Sequence, residues 1–217
     1  MSIEYTVNKT DLESVADAIR GKSGTSEKIT FPNRFVDGIN AIETSGGGDS
    51  EADVIVAGFI DGSLSGDIYN DKATRMRGYV LYMLSGITNV NLPNATTMER
   101  YAIAYCSNVV EISLANCSQI PSYGCAYNSK LERLYLNSAT RIDSRAFYEC
   151  PNLKTLIIGT NSTSVCLCTN SDAFSATPIA DGTGFIFVPD DLVERYKVAT
   201  NWATYASQIK GISEYEG

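Results

Sequence analysis

The side chains that most often perform chemistry are either missing from this sequence or placed where they serve structure. None of the 217 residues is histidine. That removes Ser-His-Asp and Cys-His nucleophile systems, histidine metal sites and the ordinary histidine base. Asp190-Asp191 has the composition of an acid–base pair. It follows Pro189 where a helix is expected to begin, however, and negative charge is favourable there for its own sake. Asp61-Gly62 and Asp181-Gly182 read as turns rather than calcium loops. Gly46-Gly47-Gly48 lacks a preceding strand and a following Lys-Ser or Lys-Thr, so it is not a phosphate loop. No catalytic residue, metal site or cofactor is assigned, and the chain is expected to be non-enzymatic.

Six cysteines raise the question of a disulfide framework. Cys106 and Cys150 hold the same place in a repeat, two repeats apart. At about 4.8 Å per strand they lie about 10 Å from each other, too far to bond. Cys166 and Cys168 are expected on opposite sides of a strand, which disfavours a two-thiolate metal clip. All six are expected to be reduced core residues.

Binding is the better candidate. Two sets of polar residues recur along one strand face, Asn89, Glu111, Arg133 and Thr155 in one column and Asn91, Ser113, Tyr135 and Ile157 in the next. They mix amide, charge, hydroxyl and aromatic groups, a composition that can recognise a sugar or a protein surface. The plainer account is that solvent-facing strand residues are simply polar. Thirteen tyrosines against seven phenylalanines add a second hint, since tyrosine supplies rigid amphipathic contact area at low entropy cost. Tyr101 and Tyr123 share a column and read as structural, with rings in the stack. Tyr105 and Tyr127, in another column, are the better candidates for exposed contacts. A net charge of −8 argues against nucleic acid as the main partner. The charge is uneven, nine Lys and Arg against five Asp and Glu over residues 72–154, then three against seven over 155–217. The mildly basic middle would favour anionic glycans or wall polymers.

The element that must position these groups is a repeat. Residues 85–106, 107–128 and 129–150 align without a gap, so that Ile87, Val109, Leu131 and Leu153 fall in one column. Val90, Ile112, Leu134 and Leu156 form another, as do Leu92, Leu114, Leu136 and Ile158. Ala95, Cys117 and Ala139, then Met98, Ile120 and Ile142, then Ala102, Gly124 and Ala146 continue the pattern. A degenerate unit at 63–84 carries Ala73, Met76 and Tyr79 in register. Each unit offers Leu-x-x-Leu-x-Leu, a short strand that cannot bury its own apolar face, so neighbours must stack. This predicts an α+β repeat solenoid with a 22-residue period, occupying 52–217. Repeats run over 85–158 and a C-terminal cap over 159–217. The run Val54-Ile55-Val56-Ala57 would start the stack. Phe185-Ile186-Phe187-Val188 reads as a strand, and Leu192, Val193, Tyr196, Trp202, Tyr205 and Ile209 as a helical tail laid over the last edge.

Ahead of the repeats, residues 1–43 read as a small helical attachment or oligomerisation module. Thr10-Asp11-Leu12-Glu13 resembles a capping box. Leu12, Val15 and Ile19 form one apolar stripe and Phe35, Ile39 and Ile42 a second. So small a unit is marginal alone, which implies self-association, with a trimer among the possibilities, or docking on another protein. Residues 44–51 read as a glycine-rich flexible linker. The first residues show no signal-peptide pattern, and no apolar run of about 18 residues suggests a membrane span. Synthesis in a cytoplasm is expected, loss of a leader being the alternative.

Ala146-Phe147-Tyr148-Glu149-Cys150-Pro151-Asn152-Leu153 and Leu92-Pro93-Asn94-Ala95 resemble the BspA-type leucine-rich repeat. The unit at 107–128 departs from it, with Gly124-Cys125 in place of Ala-Phe and Asn128 in place of cysteine. The stretch from Phe174 through Pro189 to Trp202 resembles the cap that follows such repeats in phage and prophage proteins. Asp11-Leu12 through Arg20, Lys22-Ser23-Gly24-Thr25 and Phe31-Pro32 through Ile39 are similar to a short module that opens phage tail-associated proteins. Together these resemblances imply a virion protein, tail-associated, that contacts other virion proteins and binds a host-cell surface protein or glycan through its repeats. A capsid decoration protein and a bacterial surface adhesin are the alternatives.

Overall fold

A computed structural model describes residues 65–71 and 73–216. The expectations for residues 1–43, with Leu12, Val15, Ile19, Phe35, Ile39 and Ile42, for the linker 44–51 and for Val54–Ala57 lie outside the described residues.

Each turn of the chain contributes one strand to a seven-stranded parallel sheet. Its order is β1 (Gly66–Tyr69), β3 (Ile87–Asn91), β5 (Glu111–Ser113), β7 (Arg133–Leu136), β9 (Thr155–Ile158), β11 (Phe185–Val188) and β12 (Ile209–Gly211). A second set of two-residue strands runs through the other side of the coil, β2 (Arg75–Met76), β4 (Thr97–Met98), β6 (Gln119–Ile120), β8 (Arg141–Ile142) and β10 (Leu167–Cys168). β2 pairs with β4, and β6, β8 and β10 pair in turn, again in parallel. The register joins equivalent residues of successive coils, Val90 to Ile112, Ile112 to Leu134 and Leu134 to Leu156. The apolar columns of the sequence are therefore continuous rows through one buried core. The helical content is small, a single α-helix, α1 (Val193–Val198), among the described residues.

The turns are tied from coil to coil by short polar side chains. Asn94, Asn116, Asn108 and Asn152 each donate an Nδ2 proton to a backbone carbonyl of the preceding coil, at 2.6–2.8 Å. Thr96 and Thr140 do the same through their hydroxyls at 3.0–3.1 Å. One coil is enlarged. Leu167 pairs with Arg141, 26 positions back, whereas Arg141 pairs with Gln119, 22 back. The extra residues form the turn that opens at Gly159, whose φ of +68° is in the left-handed region glycine tolerates.

All six cysteines are free and buried. Cys166 and Cys168 do not face opposite sides as expected. Both point into the core while Leu167 between them is 53% exposed, because residues two apart on a strand share a face. Burial pushes the thiols up, to about 12 for Cys106 and Cys150 and about 11 for Cys117 and Cys168. At neutral pH they are protonated and poor nucleophiles.

The C-terminal end also differs from the continuous helix expected. Only Val193–Val198 is α-helical, Trp202 and Tyr205 lie in and beside a short 3-10 turn, and Ile209 enters β12 as the last strand of the main sheet. The cap closes the core with aromatic rings and polar ties to the enlarged turn. Trp202 donates its Nε1 proton to the Cys166 carbonyl at 2.6 Å, and the Tyr196 hydroxyl accepts from the Cys166 amide at 3.0 Å. Phe174 stacks on Phe147 at 5.2 Å and meets Trp202 and Tyr205. Asp190, the candidate acid, instead accepts from the Ser213 amide and hydroxyl at 3.2 and 2.9 Å, joining two cap segments.

Asn128 occupies a fully buried column between Cys106 and Cys150. Its Oδ1 accepts from the Cys106 amide at 2.8 Å, and its Nδ2 donates to the carbonyls of Ile103 and Cys125 at 2.8 and 3.0 Å. One side chain thus pairs with three buried backbone groups, of which the Cys125 carbonyl also accepts from the Cys150 thiol at 3.2 Å. Asn128→Leu is expected to lower the unfolding free energy by about 2–3 kcal/mol in a urea titration. Asn128→Cys, which keeps one weak donor, is expected to cost about half as much.

Candidate functional site

The outer face of the main sheet carries the residues singled out from the sequence. Asp67, Asn89, Glu111, Arg133, Thr155 and Phe185 lie side by side in one row. Tyr69, Asn91, Ser113, Tyr135, Ile157 and Phe187 form the next. Much of this face is already paired. Asp67 accepts from Thr88 Oγ1 and Asn89 Nδ2 at 2.6 and 2.7 Å, and these bonds hold its carboxyl below the usual range. Arg133 donates from Nε to Glu111 at 2.9 Å and approaches Glu132 at 3.4 Å. Asn91 and Ser113 stay at the surface between them.

At the C-terminal end of this face the expectation for Ile157 fails. It is buried, 4% exposed, although its column points away from the core. Phe187 of the next strand lies beside it, and the chain returns to lay Tyr215 against Phe187 at 5.0 Å. Tyr215 also meets Tyr135, hydroxyl to hydroxyl, at 3.2 Å. Burial and that contact push the Tyr135 hydroxyl up to about 12. Glu132, Arg133, Tyr135, Lys154, Thr155 and Tyr215 line a depression of about 400 Å³ here.

A second surface lies on the segments that lead from each short strand to the next long one. Tyr79, Tyr101 and Tyr123 stack in sequence, with ring centroids 5.4 and 5.2 Å apart and planes within 18° and 13°. Tyr105 and Tyr127 stack at 4.2 Å. Tyr82 meets Tyr79, Tyr101 and Tyr105 edge-on, and Tyr148 meets Tyr123 and Tyr127 likewise. The two tyrosine pairs that the sequence treated as different in kind therefore belong to one array of seven rings. Tyr82 and Tyr148 share a column with Ala104 and Ala126, so an edge-on ring stands at each end and small residues fill the middle.

The backbone sets this arrangement. Two positions in each coil are left-handed without being glycine, Tyr79, Tyr101, Tyr123 and Arg145 at the first and Met83, Tyr105, Tyr127 and Glu149 at the second, with φ between +52° and +64°. Such a conformation costs about 1 kcal/mol or more per residue. Hydrogen bonds between coils offset it. Met83, Tyr105 and Tyr127 donate their amides to the carbonyls of Ala104, Ala126 and Tyr148 at 2.8–3.1 Å. Two arginines lie on the array. Arg100 stands 5.8 and 5.6 Å from the ring centroids of Tyr101 and Tyr123. Arg145 lies over Tyr148 at 5.7 Å and donates to the Tyr123 hydroxyl at 2.8 Å. Gly78, Tyr79, Glu99, Arg100, Tyr101 and Pro121 border an open depression of about 650 Å³.

The sequence reading placed Tyr79 in register but missed Tyr82 and Tyr148, because neither repeats in the adjacent coil. The spacing of 22 from Tyr79 through Tyr101 to Tyr123 was the signal that could have revealed the three-ring stack at the centre of the array.

Comparison with known families decides what kind of chain this is. The model of the BspA type leucine rich repeat region matches residues 61–180, in six copies. The chain belongs to this family. No curated protein matches it at a significant level of similarity. Leucine-rich-repeat proteins of the BspA type are generally non-enzymatic. Among the described residues no cluster of Cys, Asp and Glu is arranged to hold a metal ion, and no helix is long and apolar enough to cross a membrane. Within the BspA-type pattern, Asn128 keeps the buried role of the cysteine column by pairing with the same kind of backbone group.

Burial and the neighbouring Tyr127 hydroxyl push Tyr105 up to about 12, against about 10 for an ordinary tyrosine. Because the folded value is the higher one, the associated stability is whole below pH 10 and is lost as pH rises from about 10 towards 12. Absorbance at 295 nm is expected to show a late tyrosinate step near pH 12, reduced in amplitude by Tyr105→Phe.

Proposed function

We propose that this chain is a non-enzymatic binding protein whose repeat surface holds a host-cell surface protein or glycan, and that it is carried as an appendage of a phage or prophage tail. The observation that carries the binding reading is the array of seven stacked and edge-on tyrosines, five of them on left-handed backbone at the turn positions of successive coils. Stacked rings present their edges and hydroxyls as a rigid surface, and little side-chain entropy remains to be lost when a ligand docks. The strand-face residues Asn89, Asn91, Glu111, Ser113, Arg133 and Tyr135 offer a second contact surface, with Arg133 and Glu111 acting as a neutral pair.

The tail placement rests on the resemblance of residues 11–39 to a phage tail module and of the closing stretch to a phage repeat cap. In this reading Leu12, Val15, Ile19, Phe35, Ile39 and Ile42 join copies of the chain or attach it to another virion protein, and residues 44–51 give the repeats freedom to reach a cell. The family membership by itself favours a second reading, a bacterial surface adhesin of the BspA type. Gold-labelled antibody on purified particles separates the two, since label on tails supports the first and label only on bacterial envelopes the second.

The binding reading is tested by incubating the fluorescent full-length chain with a panel of Gram-positive gut bacteria. Saturable binding to some strains is expected. Tyr101→Asn with Tyr105→Asn, which keeps a residue that tolerates left-handed backbone, is expected to weaken it about ten-fold or more, as loss of an aromatic contact patch does. Arg133→Ala is expected to change it by less than about three-fold, as for an exposed ion pair. The reverse ranking would place the site on the strand face, and absence of binding to every strain would sink the reading.

A further inference from the structure

Arg100 is the exception among the cations of the tyrosine surface. Arg75 pairs with Glu99, Arg145 with Asp172 and Arg141 with Asp143. Arg100 is exposed and has no hydrogen bond or ion pair among the described residues. It is nevertheless not a loose side chain, because its guanidinium stands 5.8 and 5.6 Å from the ring centroids of Tyr101 and Tyr123. Contact with aromatic rings uses the charge and leaves the N–H donors of the guanidinium unspent. It borders the open depression of about 650 Å³ beside Tyr79 and Tyr101.

Glu99 is the one acid on this border, and its charge is already committed. It accepts from Arg75 and from the Gly78 amide, the latter at 2.9 Å, and Arg75 and Arg77 both act on its carboxyl. An incoming anion therefore meets an unpaired, oriented guanidinium beside a compensated carboxylate. An aromatic edge next to a free fork of donors suits a ligand that combines a ring with a planar anion.

We propose that this depression binds a carboxylated pyranose, such as a sialic or uronic acid residue of an acidic glycan. The carboxylate takes a bidentate pair of hydrogen bonds from Arg100, and the apolar face of the sugar ring rests on the outward edges of Tyr79 and Tyr101, whose stacked faces are turned to one another. The two-oxygen geometry matches the guanidinium fork. The ring contact distinguishes this ligand from an acyclic phosphate polymer, which offers the anion without a ring to lay on those edges. The inference rests on the binding reading above and narrows it to one ligand class.

The test uses the full-length chain and measures binding of sialyllactose and of oligogalacturonate by NMR titration. Lactose, methyl-esterified oligogalacturonate and poly(glycerol phosphate) serve as comparisons. At least one acidic sugar is expected to bind about ten-fold or more tightly than its neutral counterpart, the value of a single charge-assisted hydrogen bond or slightly more. Arg100→Ala is expected to abolish that preference and Arg100→Lys to restore only part of it. The position is exposed, and an unchanged thermal melt shows that both variants remain folded. Equal affinity for acidic and neutral sugars, a preference untouched by Arg100→Ala, or binding of poly(glycerol phosphate) alone would each overturn the proposal. If the chain still binds bacteria in any of those cases, the broader binding reading stands and only this ligand assignment fails.

Discussion

Parallel pairing of equivalent residues in successive coils is the constraint on which everything else in this molecule rests. Once Val90 is fixed opposite Ile112 and Ile112 opposite Leu134, every other column follows. Apolar columns become continuous core rows. Turn asparagines and threonines find the carbonyl of the coil before them. A tyrosine repeated at the same position has to stack on its own copy, because strands in a sheet lie only about 4.8 Å apart. The tyrosine surface is a by-product of register as much as of side-chain choice.

The two outer surfaces use this register differently. On the strand face, neighbouring strands place opposite charges side by side, so Arg133 and Glu111 neutralise one another and Asp67 is held by Thr88 and Asn89. On the tyrosine face the repeated groups are alike and cannot neutralise one another. They stack, and the arginines among them are drawn to the rings. The first surface is largely satisfied by itself, whereas the second retains donors and aromatic edges turned outward.

Legibility in the sequence followed the same division. The period, the core columns and the strand rows were readable because each repeats at a fixed spacing. What escaped came from contacts between distant segments. Ile157 belongs to a solvent-facing column and is buried only because Phe187 and Tyr215 arrive from the cap. Ile209 follows a helical spacing of apolar residues, yet the open edge of β11 draws it into a strand. Tyr82 and Tyr148 share a column, but the alanines at 104 and 126 between them break the run of tyrosine that would have marked it. Asn128 looked like drift from the repeat pattern, and its side chain turns out to replace a cysteine by satisfying more of the backbone than a thiol can.

The left-handed residues have a consequence for how the molecule assembles. Met83, Tyr105 and Tyr127 each give their amide to the coil that follows, so a coil closed on its own carries the conformational penalty without its compensation. A coil added on the N-terminal side of a stack finds its acceptor at once, whereas one added on the C-terminal side supplies an acceptor and leaves its own amide waiting for the next. In a chain whose stability is a sum over units and their interfaces, this shifts weight from the unit to the interface. The array is thereby driven towards all-or-none formation, and half-built stacks with exposed apolar edges are kept scarce.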